Sequence, residues 1–463
     1  MAKRIPNNTL VIQFLAQPKF FERLIYIKSL DGFFFFIDNK YYRPLDLAIA
    51  RRDIWEFLIN FFPEVSITDA LISDIVKQMP LALGKWWRDE LDDKYIAFAD
   101  CLLNTETLVA EEFDKSKIAT VYFPFNYKTI QNIETPAFSQ FLDKILVNED
   151  NPGLPDKSLA LFVQEMFGYL LVPQMYATAA FFLYGNGSNG KSTLTNLLRC
   201  FFGTENVSSY SIENLTTRPF TVAGLIGKRI NICNEDESKF IRSDKFKAIV
   251  SGELVSAERK FGNSFEFCPT TKFIFCTNKM PTFEGADYGL RRRVKIIPFY
   301  QTIKDEEKDI FMLNKLKNEI PGILTWAIAG LARLQKNNYV FSEHESPALE
   351  KITQEFLNEN SSAIQFFNEN YQASQDERNF ISNQDVYTLY KNWCNENGKK
   401  PFSSNRFHKD ITLALGTKSV VKKIEGKSVR GKNIIRLADA PPLSSEPTFP
   451  EQKQSVNLDN IAF

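Results

Sequence analysis

A glycine-rich segment directly after an apolar run constrains this chain of 463 residues more than any other feature. The apolar run is Ala179–Tyr184, and the segment Gly185–Ser192 reads GNGSNGKS. The segment matches the pattern G-x-x-x-x-G-K-[ST] at every fixed position. Leucines at helical spacing follow at Leu194, Leu197 and Leu198. This order predicts a buried parallel strand, a phosphate-binding turn and a helix.

The chemistry of a bound triphosphate explains why these residue types occur in this order. Glycines allow backbone N–H groups to turn inward around phosphate oxygens, and the start of a helix adds its dipole. Lys191 is expected to reach the β- and γ-phosphates, and the Ser192 hydroxyl to bind Mg²⁺. The alternative is a glycine-rich turn that matches by chance. The predicted ATP-binding residues are Gly185, Asn186, Gly187, Ser188, Asn189, Gly190, Lys191, Ser192 and Thr193.

A second predicted strand, Gly227–Asn234, ends in three acidic residues, Glu235, Asp236 and Glu237. Carboxylates at such a strand end hold Mg²⁺ and accept a proton from an attacking water. We therefore predict Glu235 as the principal catalytic carboxylate and Glu237 as the second, with Ser192 and Glu235 as the metal ligands. Taken alone, the segment is also typical of a solvated acidic turn.

Two further polar features complete the predicted catalytic set. Asn278 follows the predicted strand Thr271–Thr277, where its amide is expected to orient the attacking water, although a lone asparagine there is otherwise a turn residue. Three arginines follow at Arg291–Arg293. A guanidinium neutralises the charge on a transferring phosphate, and it can come from a neighbouring subunit. The alternative is a basic surface turn.

Together these elements resemble the superfamily 3 helicases, which are AAA+ ring motors, and in particular their phage, plasmid and poxvirus-type helicase–primase branch. The resemblance rests on the phosphate loop, on the approach to the acidic strand over Leu215–Glu235, and on Ser251–Asn278. It implies ATP and Mg²⁺ as cofactors, a homo-oligomeric ring expected to be a hexamer, and 3′-to-5′ movement on single-stranded DNA. The double-arginine position of the family corresponds to Arg292 and Arg293, and either one fits the arginine finger.

The stretch Ser251–Asn278 resembles the family segment that contains a β-hairpin, the tip of which enters the ring and grips DNA. The matching tip residues here are Arg259, Lys260 and Phe261. Cations pair with phosphates and an aromatic ring stacks on a base or presses on a sugar, so the residue types suit that role. Related viral helicases have a histidine after the lysine, where this chain has Phe261.

The C-terminal region is locally basic although the chain is neutral. From Pro401 to Arg436 the only acids are Asp410 and Glu425, among nine cations. Two predicted helices followed by a basic hairpin suggest a winged helix that contacts phosphates. A solvated charged face and a protein-docking winged helix are the alternatives. The predicted DNA contacts of this region are Lys422, Lys423, Lys427 and Arg430.

Composition narrows the class of protein further. Lys+Arg and Asp+Glu are balanced at 56 each, so net charge indicates no partner. Six scattered cysteines without a C-x-x-C pair argue against a zinc ribbon and suit a reducing cytoplasm. No apolar stretch is long enough for a membrane span. Both histidines follow the predicted motor, which argues against a built-in primase of the archaeal–eukaryotic type, so a primase, polymerase or initiator would be a separate partner.

We therefore expect an α/β protein with an AAA+ P-loop NTPase core, an α-rich N-terminal collar and a C-terminal winged-helix domain. The predicted function is an ATP-dependent DNA helicase that acts on single-stranded and forked DNA in the host cytoplasm during phage, plasmid or mobile-element replication. The alternatives are a replication initiator or loader without processive unwinding, and a P-loop kinase or NTPase for a small molecule. The predicted segments are an N-terminal α+β region 1–94, a helical collar 95–172 that begins with short strand-like runs over 95–127, a motor 173–340, a helical linker 341–380, a winged helix 381–439 and a disordered tail 440–463.

Overall fold

The computed structural model describes residues 5–151, 153–236, 241–259, 264–279, 282–284, 288–415, 419–424 and 426–437. The chain divides into two compact units. The first consists of Met1–Gly285 with Arg292–Thr353, and the second of Ala286–Arg291 with Gln354–Phe463. Within the described part of the chain, no helix has both the length and the apolar character needed to cross a membrane. The predicted tail 440–463 lies outside the described residues.

The first unit begins with a small sheet packed against helices. Its elements are α1 (Asn7–Leu15), β1 (Leu24–Ile27), β2 (Gly32–Ile37), β3 (Tyr41–Pro44), α2 (Leu47–Phe61), α3 (Asp69–Ala82) and β4 (Trp87–Arg88). The four strands lie in the order β3-β2-β1-β4. Helix α2 begins where the Asp46 side chain accepts a hydrogen bond from the Ala48 N–H. Buried Phe14, Phe33, Phe57 and Ile75 join helices and sheet in one core.

A second four-stranded sheet follows, and two helices come after it. Its elements are β5 (Asp93–Ala97), β6 (Leu102–Asn104), β7 (Ala110–Glu111), β8 (Ile118–Tyr122), α4 (Pro136–Ile145) and α5 (Lys157–Leu171). The strand order is β7-β6-β5-β8. The expectation of a helical collar over 95–172 is therefore wrong for its first part, because short β-branched and apolar runs bounded by turn residues form strands there. Only the second part is helical.

The central region contains a parallel sheet of five strands in the order β10-β11-β15-β9-β17. A two-stranded antiparallel hairpin, β13 with β14, precedes β15 in the chain. The elements are β9 (Ala180–Tyr184), α6 (Lys191–Phe202), β10 (Val207–Ser208), α7 (Ile212–Thr217), α8 (Pro219–Ala223), β11 (Ile230–Cys233), β12 (Ile241–Arg242), α9 (Ser243–Val250), β13 (Val255–Glu258), β14 (Ser264–Phe267), β15 (Lys272–Thr277), β16 (Phe283–Glu284), α10 (Tyr288–Arg291), β17 (Val294–Pro298), α11 (Met312–Asn318) and α12 (Ile320–Lys336).

Burial on both faces explains why this sheet is parallel and apolar. Strand β9 is a nearly continuous apolar run, and Phe181, Phe182 and Leu183 are almost wholly buried. The chain leaves β9 for the far edge at β10, returns through β11 and β15, and ends at β17 on the other side of β9. Ligands of open α/β sheets bind at the carboxyl ends of the strands, where the direction of winding reverses. The loops after β9, β11 and β15 therefore meet at the predicted site.

Two glycines allow helices α5 and α12 to pack closely behind the sheet. A Cβ on Gly168 would lie 2.3 Å from the Leu331 nitrogen, and one on Gly330 would lie 2.2 Å from the Gln164 oxygen. Any larger residue would force the two helices apart. The contact is completed by Arg333, which bonds Gln164 and Glu165.

The second unit is a small mixed domain. Its elements, with the helix that precedes it, are α13 (Pro347–Asn360), α14 (Ser362–Asn370), β18 (Tyr371–Ala373), β19 (Phe380–Ser382), α15 (Asn383–Glu396), α16 (Ser404–Leu415), β20 (Ser419–Ile424) and β21 (Lys427–Arg436). Strand β21 pairs with β18, β19 and β20. Phe366, Tyr371, Tyr390, Trp393 and Phe407 share its core. The expectation of a linker over 341–380 is therefore wrong for its second half, because α14 and β18 supply buried aromatic residues to this core.

The second unit is expected to lose stability in mild acid because of His408. Burial, and then repulsion from Lys432, lower the pKa of His408 to about 4. The folded state thus favours the neutral imidazole, and this contribution is complete above the unfolded pKa of about 6.5 and is lost as pH falls towards 4. We expect a loss of about 1–2 kcal/mol between pH 7 and pH 5. Thermal unfolding at both pH values measures it, and His408→Asn should flatten the dependence. If the unfolding temperature falls equally with pH in the wild type and in His408→Asn, His408 is not the cause of the acid sensitivity.

Candidate nucleotide site

The predicted strand, turn and helix around the phosphate loop are present in the structure. Strand β9 leads into the loop, and α6 begins at Lys191. Gly187 and Gly190 have φ of +98° and +87°, a region that favours glycine. A Cβ on Gly190 would also lie 2.4 Å from Cγ2 of Ile145. Ser188 bonds Ile303 through its hydroxyl and its carbonyl, so the loop is fixed to the segment after β17.

Lys191 lies at the centre of the site and is buried. Its Nζ donates to the Gly185 carbonyl at 2.5 Å, to Asn189 Oδ1 at 3.1 Å and to Asn278 Oδ1 at 3.4 Å. Burial holds the pKa of Lys191 below its ordinary value, and the neighbouring Cys276 thiol opposes this in part. The structure thus brings together the lysine of the first loop and the amide that follows β15. Three neutral acceptors satisfy the ammonium, and phosphate oxygens are stronger partners for it.

The two described residues of the acidic strand end lie in different environments. Glu235 is exposed, lines the cavity at the phosphate loop, and has φ of +61°. A left-handed backbone is unfavourable for glutamate, and such strain concentrates at functional sites. Asp236 is buried instead, and its Oδ2 accepts the Ile212 N–H at 2.8 Å at the start of α7. The Asp236 carboxylate is therefore occupied by a structural hydrogen bond to α7. Glu237 lies outside the described residues.

A cavity of about 640 Å³ adjoins the phosphate loop, a size typical of sites for nucleotide-sized ligands. Of the predicted site residues, Gly187 to Thr193, Glu235 and Asn278 line it, whereas Gly185 and exposed Asn186 do not. The sequence analysis did not predict a further set of lining residues. These are Phe141, Lys144, Ile303, Glu307, Lys308, Asp309, Ile310, Met312 and Leu313. These residues form no motif, so only the fold identifies them.

The three arginines occupy different environments. Arg293 is buried; its Nε donates to Ser251 Oγ at 2.6 Å, and its Nη2 lies 3.7 Å from Glu253. Arg292 is exposed, and Arg291 is half-buried at the end of α10. The structure therefore separates the two arginines that the sequence treated as equivalent, since a residue that reaches a neighbouring subunit must be accessible.

The predicted DNA-gripping hairpin is present as β13 and β14, paired from Val255 with Phe267 to Glu258 with Ser264. The predicted tip residues Lys260 and Phe261 lie outside the described residues. Arg259 is described, and it bonds Asp31 and the Leu30 carbonyl in the N-terminal part of the same unit.

The basic hairpin of the second unit carries the other predicted DNA contacts. Lys422, Lys423, Lys427 and Arg430 are all exposed. Register pairs Lys422 with Val429 and Lys423 with Ser428. Because side chains alternate along a strand, cations occur on both faces of the hairpin.

Two family models match separate parts of the chain. A family of unknown function (DUF5906) matches residues 183–293, which contain the phosphate loop and the acidic strand end. A family described as poxvirus D5 protein-like matches residues 358–431 in the second unit. Neither match reaches half of the chain.

The chain also has detectable similarity to one curated relative and to two solved structures. A putative helicase, L207/L206 of Acanthamoeba polyphaga mimivirus, is 29% identical over 188 residues, which are 38% of this chain and 19% of that protein. The chain thus spans about a fifth of the length of that relative. Two apo structures of the NrS-1 C-terminal region have TM-scores of 0.46 and 0.44 at 15% and 14% identity, covering 89% and 88% of this chain and 95% of each of theirs. The chain is similar to a family of unknown function at its phosphate loop, to poxvirus D5-like proteins in its second unit, and to a putative viral helicase over part of its length.

Proposed function

We propose that this chain is an ATP-dependent DNA helicase of the superfamily 3 type, with an AAA+ core that works in a homo-oligomeric ring. One observation carries the proposal. Lys191 at the start of α6, Glu235 after β11 and Asn278 after β15 line one nucleotide-sized cavity. The phosphate-loop geometry and the similarity to a putative viral helicase support the same conclusion.

The described side chains have distinct tasks in hydrolysis of ATP. The ammonium of Lys191 exchanges its neutral acceptors for β- and γ-phosphate oxygens and offsets their charge. Asn278 orients the attacking water beside Lys191, and Glu235 accepts the proton of that water as its oxygen bonds to the γ-phosphorus. The bond from this phosphorus to the bridging oxygen then breaks, and ADP leaves. The Ser192 hydroxyl would bind Mg²⁺ directly and Glu235 would hold it through water, and the ion would supply charge neutralisation at the phosphates.

The neighbouring subunit supplies a further positive charge in this proposal. Arg292 fits that role because it is exposed, whereas Arg293 is held inside its own subunit by Ser251. A guanidinium delivered from the neighbour makes hydrolysis depend on assembly. This dependence is the basis for the proposed ring, with a hexamer as the expected form.

Nucleic acid is bound at two places in this proposal. The β13–β14 hairpin grips single-stranded DNA inside the ring through Lys260 and Phe261. The second unit, with helices α15 and α16 followed by the β20–β21 hairpin, acts as a winged helix, and its exposed Lys422, Lys423, Lys427 and Arg430 meet phosphates. Its match to the poxvirus D5-like family supports this assignment. The setting is DNA replication in a host cytoplasm, with a separate primase, polymerase or initiator as partner.

Forked-duplex unwinding with and without Lys260→Ala tests the proposal. We expect the wild-type protein to hydrolyse ATP faster with single-stranded DNA and to separate the fork. Lys260→Ala is expected to keep nucleotide binding and lose strand separation by about tenfold or more, because the cation in the pore is gone. Origin melting without fork separation would instead indicate an initiator or loader. A rate of ATP hydrolysis that is the same with and without single-stranded DNA would indicate an NTPase for a small molecule.

A further inference from the structure

Arg259 makes a set of contacts that differs from what a free DNA-binding cation would show. Its Nη1 lies 3.2 Å from Asp31 Oδ2, and its Nη2 donates to the Leu30 carbonyl at 2.8 Å. Its guanidinium carbon also lies 5.1 Å from the centre of the Phe265 ring in β14. A guanidinium with a carboxylate, a carbonyl and an aromatic face around it is held in one orientation.

Arg259 lies where the β13–β14 hairpin meets the N-terminal sheet. It directly follows β13 and precedes Lys260 in the chain. Asp31 and Leu30 belong to the turn between β1 and β2, more than two hundred residues earlier in the chain. The N-terminal sheet therefore contacts the hairpin just after the end of its first strand.

Asp31 is itself fixed in place. Its φ is +43°, at the end of the short 3-10 helix Lys28–Leu30, and its N–H donates to the Lys28 carbonyl. The hydroxyl of Tyr26 donates to Asp31 Oδ1 at 2.7 Å. One carboxylate oxygen is thus held by the sheet while the other holds Arg259.

A cavity of about 470 Å³ adjoins these contacts, with Asp31, Arg259 and Ile226 among its lining residues. Strand β13 also packs against α8, and Ala257 in β13 is buried. The polar contacts of Arg259 add an ion pair and a hydrogen bond to this packing.

We infer that Asp31 is a positioning residue for the proposed DNA-gripping hairpin and acts by anchoring Arg259. This rests on the proposed function. Arg259 is then a structural anchor of the hairpin, and its guanidinium pairs with the Asp31 carboxylate instead of with a DNA phosphate.

Asp31→Asn isolates this role with little disturbance. Asparagine accepts a left-handed backbone and keeps an oxygen for Tyr26, while the charge opposite Arg259 is removed. We expect hydrolysis without DNA to stay at the wild-type rate, and base pairs separated per ATP hydrolysed to fall about two- to fivefold, the range for loss of a partly exposed ion pair. Asp89→Asn is the matched control, since Asp89 is exposed, lies 3.9 Å from Lys28 and removes the same charge nearby.

A double-mutant cycle and a salt titration complete the test. If Asp31 acts through Arg259, Asp31→Asn adds no effect in an Arg259→Gln background. The slope of log affinity for single-stranded DNA against log salt should be the same for wild type and Asp31→Asn. If Arg259 instead meets a phosphate, its release by Asp31→Asn would tighten DNA binding and steepen that slope by about one. That result overturns the inference.

The same measurements separate failure of this inference from failure of the proposed function. Wild-type hydrolysis that does not respond to DNA, together with an absence of unwinding, overturns both. Normal unwinding by the wild type that Asp31→Asn leaves at full efficiency overturns only the role of Asp31. Thermal unfolding of each variant should match the wild type within about one degree or two, since an exposed pair contributes little to stability.

Discussion

Replacing Lys191 with alanine is expected to abolish ATP hydrolysis, with a loss of at least about 100-fold, and with it all strand separation. The reason lies in the geometry of the site. The ammonium is already desolvated, as its lowered pKa indicates, and it is directed at the loop by Gly185, Asn189 and Asn278. A preoriented, dehydrated charge stabilises a phosphoryl-transfer transition state more than a solvated one does, because no water must be removed during the reaction.

The chain offers a matched control for this variant. Lys228 is also a lysine whose burial lowers its pKa, and it donates to the Glu205 carbonyl, but it does not line the nucleotide cavity. Lys228→Ala should therefore hydrolyse ATP at close to the wild-type rate. Steady-state phosphate release and nucleotide binding by calorimetry give the two readouts. Full hydrolysis by Lys191→Ala, or equal losses in both variants, would contradict the assigned site.

Arg292→Ala is the second variant with a large expected effect. We expect hydrolysis to fall by about 1,000-fold, the lower end of the range for loss of an arginine finger. Nucleotide binding should survive, because Arg292 is exposed and does not line the cavity of its own subunit.

Arg293→Ala should show a different defect, a lower unfolding temperature, because it removes a buried guanidinium bonded to Ser251.

Mixing two inactive proteins tests whether Arg292 acts on a neighbour. Arg292→Ala subunits keep an intact phosphate loop, and Lys191→Ala subunits keep an intact arginine. Random assembly into a ring then gives about a quarter of interfaces with both parts intact, so hydrolysis should return on mixing. Arg52→Ala, which alters an exposed arginine in α2, is the control and should have no effect. No recovery on mixing would contradict delivery of the charge from the adjacent subunit.

Much of the nucleotide site could be located from local sequence. The apolar run before Gly185 predicted a buried strand, and β9 is buried at Ala180–Leu183. The glycines predicted a turn with unusual backbone angles, and Gly187 and Gly190 adopt them. Leucine spacing predicted a helix, and α6 begins at Lys191. These features depend on backbone freedom and on periodic burial, both of which are properties of neighbouring residues.

Other parts of the site and fold were not accessible in this way. Short strand-like runs are recognisable over 95–127, and strands form there, but no local pattern shows that they pair into a sheet of their own, so this part is grouped with the helical collar. The linker prediction over 341–380 was wrong in its second half because polar residues outnumber the few aromatics that enter the core of the second unit. The number and spacing of apolar residues were too low to reveal a buried face.

The sequence by itself predicted the strand, glycine-rich turn and helix of the proposed phosphate loop, because glycine conformation and apolar periodicity are encoded within a few residues. Only the tertiary structure decided that Arg292 is exposed while Arg293 is buried, that Asp236 bonds α7 while Glu235 lines the cavity, and that Arg259 meets Asp31. Each of these outcomes depends on which side chains packing brings together from distant parts of the chain, and no local pattern carries that information.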